Sequence, residues 1–179
     1  MHTKGHGFTL IECLIATVIL GAILCIALPA YGKAMSATRL ANLQATLLEH
    51  LTTSIRHAVI SGKTVVLCTS GDGEPCTQGQ DWSQGWMAFT DSNGDRERGP
   101  NEPILLKHDR LTPPLRMTGS TGRSRITFNA KGAAPGSNTI FTLCDAGGRA
   151  RARSVMLANN GRLRKSAATP AAELACRRP

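Results

Sequence analysis

Three groups of residues have types and spacings able to do chemistry. The first is Glu12, a lone carboxylate in an apolar stretch: residues 13–28 carry no charge, and Phe8 and Leu10 extend the stretch on its other side. A carboxylate so placed is costly unless paired, and marks a functional position. The second is a row of cations near the other end of the chain, Gly-Arg-Ala-Arg-Ala-Arg over residues 148–153 and Gly-Arg-Leu-Arg-Lys over residues 161–165. On extended backbone, residues two apart share a face, and the planar guanidinium fork suits phosphate. Arg149, Arg151, Arg153, Arg162, Arg164 and Lys165 are therefore candidate contacts to a polyanion. Binding would run through its backbone, with strong salt dependence and little sequence preference. No aromatic residue interleaves with them, so base stacking is not expected.

The third group is the cysteines. Cys13 and Cys25 lie in the apolar stretch and are expected to stay reduced, while Cys68, Cys76, Cys144 and Cys176 are expected in an oxidising compartment. Four cysteines permit three pairings. The favoured one is Cys68–Cys76, closing a small loop after a strand, with Cys144–Cys176 tying the tail back to a strand.

Other constellations carry less. Asp91, Asn93, Asp95 and Glu102 fall at positions 1, 3, 5 and 12 of a calcium-loop count, but the glycine needed at position 6 is Arg96. A polar turn on Asn93-Gly94 is the better reading. His2, His6, His50, His57 and His108 show no metal spacing, and neither a nucleophile motif nor a phosphate-binding glycine loop is present. Neither catalysis, a metal nor a cofactor is expected.

Charge is distributed unevenly along the chain. Residues 1–61 hold four Lys/Arg against two Asp/Glu, residues 62–109 four against eight, and residues 110–179 thirteen against two. The basic excess belongs to the C-terminal third, which points to an anionic partner there.

The elements that must position these groups follow from periodicity. Residues 8–28 would span roughly 30 Å as a helix, enough for a bilayer core. Pro29 and Gly32 are expected to kink or loosen that helix. Leu40, Leu43, Leu47, Leu48, Leu51 and Ile55 then recur at three- and four-residue spacing, the pattern of an amphipathic helix docked on a head, with Gly62 as its C-cap. Beyond it, short strands are expected at 64–69, 86–90, 104–107, 115–118, 125–129, 139–144, 154–158 and 162–164, separated by turn residues. The fold class is α+β: a long N-terminal helix packed on a mostly antiparallel β head. Arg149, Arg151 and Arg153 share parity with Val155 and Leu157, so the first cluster is expected in a loop or at a strand end.

The string Gly7-Phe8-Thr9-Leu10-Ile11-Glu12 ahead of a long apolar helix resembles the class III signal of type IV prepilins and pseudopilins. The resemblance implies cleavage after Gly7 by a prepilin peptidase, N-methylation of Phe8, and pairing of Glu12 with the N-terminal amine of a neighbouring subunit during filament assembly. Cys68, Trp82, Gly85, Trp86, Phe89, Asp91, Asn93, Gly132 and Cys144, in that order, resemble the GspH/FimT family of minor pilins and pseudopilins. Residues 1–7 are then a leader, 8–28 the transmembrane and assembly helix, 29–61 its amphipathic continuation, 62–166 the head, and 167–179 a disulfide-tethered tail. The implied partners are other major and minor pilins, and the inner membrane before assembly, with the head in the periplasm. In the FimT branch a C-terminal Gly-Arg-x-Arg binds DNA taken up in natural transformation. Gly161, Arg162, Leu163 and Arg164 match it, so non-sequence-specific DNA is the expected partner. A structural subunit for pilus assembly or type II secretion is the alternative.

Overall fold

The computed structural model describes residues 9–71 and 75–178. Gly7 and Phe8, the expected cleavage and methylation positions, lie outside the described residues.

Helix α1 spans Leu10–Ser61. Its start is a capping box: Thr9 Oγ1 accepts from the Glu12 amide at 3.3 Å, while Glu12 Oε2 accepts from the Thr9 amide and hydroxyl at 2.7 Å each. Gly62, in the left-handed region at φ 67°, ends it. The helix runs unbroken through Pro29 and Gly32. A proline removes one backbone hydrogen bond, and the Ala- and Leu-rich flanks keep the helix going. Its two halves differ in what they touch. Side chains through Tyr31 are exposed, whereas Ser36, Leu40, Leu43, Gln44, Leu47, Leu51, Ser54 and Ala58 form one buried face.

The head holds two four-stranded antiparallel sheets. One has the order β3-β2-β1-β5, from β1 (Thr64–Thr69), β2 (Trp86–Asp91), β3 (Ile104–His108) and β5 (Arg125–Phe128). The other has the order β4-β6-β7-β8, from β4 (Leu115–Thr118), β6 (Thr139–Asp145), β7 (Arg153–Leu157) and β8 (Leu163–Ala167). Both turn their apolar faces to the buried stripe of α1 in a single core that includes Leu40, Leu47, Leu51, Val65, Leu67, Trp82, Trp86, Phe128, Phe141, Val155 and Leu157. All eight expected strands are present: β1 and β4 have the expected ends, and the others shift at an end by one residue, or by three at the end of β8.

Cys68 is bonded to Cys76 and Cys144 to Cys176. The second bond pins a short helix, α2 (Pro170–Arg177), to β6. The sequence reading leaves this segment as a tail. Its helix signals are Thr169, whose Oγ1 accepts from the Ala172 amide at 3.3 Å, Pro170 in the first turn, and the i,i+4 pair Glu173–Arg177.

Candidate functional site

Strands β7 and β8 set the positions of the basic residues. Their register pairs Leu157 with Leu163, Val155 with Lys165, and Arg153 with Ala167. The turn at 158–162 therefore lies at one end of the pair, and the loop carrying Arg149 and Arg151 at the other. Each end is fixed to a different level of α1. Next to the first, the Gly132 turn packs on Ile55 and Val59. Next to the second, Ser36 donates a short hydrogen bond to Asp145. Those levels are about 20 residues apart, or roughly 30 Å along the axis. The six cations that read as one cluster in sequence thus belong to opposite ends of the head: Arg162 and Arg164 far from the apolar segment, Arg149 close to it.

At the distal end the Gly161 amide donates to Ala158 O at 2.9 Å, Asn160 Oδ1 accepts from the Arg162 amide at 3.1 Å, and the Ala134 amide reaches Asn159 O at 2.8 Å. Arg162 and Arg164 are exposed, with no acidic partner among the described residues. Leu163 packs against the core, so strand alternation turns Arg164 to the outer face, beside Met156. Lys165 falls on the inner side. With Arg151 and Arg153 it lines a groove of about 430 Å³ between β8 and α1, where Ala37 and Gln44 form the other wall. Arg153 is half-buried and donates to Gln44 Oε1 at 3.3 Å. Arg149 and Arg151 lie in the loop and Arg153 opens β7, so no continuous strand buries the first cluster.

Tertiary structure adds two cations that local sequence does not flag. Lys131 is exposed and adjoins Gly132, whose carbonyl meets Gly161, so it lies near Arg162. Arg123 lines an outer groove of about 510 Å³ with Met156 and Asn159, and its guanidinium donates to Asn138 O at 3.1 Å and Asn138 Oδ1 at 3.3 Å. Both lie more than 30 residues from Arg162 in the chain, beyond any motif spacing.

The remaining constellations are structural. Asp91 accepts from the amides of Gly94 at 2.7 Å and Arg96 at 3.2 Å, and Glu102 from those of Ser92 at 2.7 Å and Gly99 at 2.9 Å. These carboxylates organise their own loop by accepting from its amides. His50 Nδ1 accepts from Trp86 Nε1 at 3.0 Å, and His108 stacks on the Trp86 ring with centroids 4.0 Å apart. Burial, then the neighbouring His108, holds the His50 pKa below its ordinary value, with Glu49 opposing.

A long helix that is bare and apolar at its start, buried along one face thereafter, and packed on antiparallel sheets defines a type IV pilin-like subunit. Its apolar segment is long enough to cross a membrane. Residues 45–161, more than half of the chain, match the family described as Type II transport protein GspH, and residues 3–28 match the prokaryotic N-terminal methylation motif. The chain belongs to the GspH family. A crystal structure of the type IV minor pilin FimU from Pseudomonas aeruginosa (strain PAO1) shares the fold: TM-score 0.53 and 18% identity, over 75% of this chain and 90% of that one. A second crystal form of FimU gives a TM-score of 0.49 at 20% identity, over 74% and 91%. No curated protein sequence matches the chain. The protein is thus a membrane-anchored subunit of the minor pilin and pseudopilin kind, a structural class that assembles with other pilins.

Proposed function

We propose that this minor pilin binds DNA during uptake through the edge strand β8 and the turn before it. The observation that carries the reading is the exposure of Arg162 and Arg164, without an acidic partner among the described residues, at the end of the head farthest from the membrane segment. Because β8 is an edge strand, Lys165 is reached across the same edge from the inner side. A phosphate backbone lying along that edge meets Arg162, Arg164 and Lys165 first, then Arg151. Arg153 is engaged with Gln44, and Arg149 is too far from the turn to share a short contact with it. Duplex binding by the detergent-solubilised mature chain is expected to fall with salt at a log–log slope of about −3.6 for four phosphate contacts, those of Arg162, Arg164, Lys165 and the neighbouring Lys131. The Arg162→Ala/Arg164→Ala chain should lose about two from that slope, and affinity equal to the parent's would refute the reading.

A second reading is a structural subunit of a pilus or a type II secretion pseudopilus with no nucleic-acid role, which the description of the matched family favours. Loss of secretion or piliation on deletion supports it. Loss of transformation alone supports the DNA reading.

A further inference from the structure

We infer that a pocket at the membrane-facing end of the head holds the phosphate of an anionic phospholipid headgroup. Its helix wall is Tyr31, Met35 and Arg39, and its opposite wall includes Pro114, Asp145 and Arg149. Tyr31, Met35 and Arg39 are four residues apart, so they stack along one face of α1. The volume is about 240 Å³, below the range of roughly 300–1,000 Å³ common for drug-sized ligands, and suits a compact headgroup.

The level of the pocket along α1 selects the ligand. Residues 10–31 span roughly 33 Å of helix, the thickness of a hydrocarbon core, so Tyr31 stands at its boundary, where tyrosine is favoured. Lys33 follows two residues later. Side chains on a helix lean toward its N-terminus, which directs the Arg39 guanidinium back toward the headgroups. Arg39 and Arg149 are exposed, and neither has an acidic partner among the described residues. Asp145 opposes an anion, but it is 1% exposed and its oxygens are taken by the Ser36 hydroxyl and, at 2.7 Å, the Gly147 amide. What remains open to the pocket is two guanidiniums and a phenol at headgroup depth, which is the chemistry of lipid phosphate recognition.

The test is native mass spectrometry of the full mature chain released from micelles holding equal phosphatidylglycerol and phosphatidylcholine. One phosphatidylglycerol per chain should be retained. Arg39→Ala/Arg149→Ala should lower retention about tenfold or more, whereas Arg162→Ala/Arg164→Ala should leave it at the parent level. Equal retention of phosphatidylcholine, unchanged retention by the first variant, or displacement by millimolar inorganic phosphate would overturn the assignment. If the first variant does not fold, photoactivatable phosphatidylglycerol on the parent chain decides. Labelling within residues 31–39 or 145–149 supports the site, and labelling only elsewhere overturns it.

Discussion

Gly161 lies against the Gly132 carbonyl so closely that a β-carbon on Gly161 would come within 2.0 Å of that oxygen. Gly161 sits at φ 81° and Gly132 at φ 74°, so each turn uses backbone that a side chain disfavours. A β-carbon on Gly132 would in turn meet Val59 and Ile55 at 3.1 and 3.3 Å. Helix, first turn and second turn are stacked, and Arg162 projects from the top of the stack.

Gly161→Ala should therefore destabilise the head by about 2 kcal/mol or more, lowering Tm by roughly 4–8 °C. Gly136→Ala is the matched control, since it has φ 67° but open space around it, and should cost only about 1 kcal/mol. Thermal unfolding followed by circular dichroism compares them. Equal losses would mean that the contact with Gly132 adds nothing.

Proximity to Arg162 predicts that Lys131→Ala weakens duplex binding and reduces the salt slope by about 0.9. Arg149→Ala, at the other end of the sheet, should leave both unchanged. Titrations at several salt concentrations on the two variants would reveal a reversed ranking, which would relocate the DNA path to the membrane-facing loop.

Protonating His50 would remove the acceptor for the buried Trp86 N–H. Its pKa is held below 6.5 by burial and then by His108, so the unfolded chain takes up the proton first as pH falls. The associated stability is full above about pH 6.5 and declines as pH drops from there toward the folded-state value. Urea midpoints measured at pH 7.5 and 5.5 should differ for the parent. His50→Asn, whose amide oxygen can accept from Trp86, should show a smaller difference.

The two disulfides close loops of unequal length, with separations of 8 residues for Cys68–Cys76 and 32 for Cys144–Cys176. Loop-closure entropy makes loss of the longer one more costly by about 1.2 kcal/mol. Cys144→Ser/Cys176→Ser should also release α2, exposing the 168–178 segment to proteolysis before the core unfolds.

Glu12 closes the capping box of its own helix through Oε2. Glu12→Gln preserves an acceptor for Thr9 but removes the charge that the proposed pairing with a neighbouring N-terminal amine would use. It should leave membrane insertion intact and deplete the subunit from sheared filaments, as read by immunoblot. Incorporation equal to the parent's would remove Glu12 from the assembly contact.

Much of this architecture was legible in the chain. The step from sixteen uncharged residues to a leucine repeat of three and four marked where the long helix leaves lipid for the head. Turn-flanked runs marked all eight strands, because strand and turn signals act over a few residues. The residues that carried the family likeness are structural ones: Trp82, Trp86 and Phe89 are fully buried, and Asp91 caps its own loop. The C-terminal helix was missed although its cap, proline and ion pair are local, since eight residues are too few for a helical period to stand out.

The arginines mark the limit of such reading. By itself the sequence determined that the C-terminal third is basic and that the first cluster cannot run on as a buried strand, because parity and composition are local properties. Arg162, expected on the strand face of Arg164, stands instead in the turn just before β8. Only the tertiary structure decided which cations stand together. The β6–β7 and β7–β8 connections leave the sheet at opposite ends, so Arg149 joins Arg39 near the membrane segment while Arg162 joins Lys131 far from it. That division depends on strand direction and on packing between residues far apart in the chain, which sequence spacing does not encode.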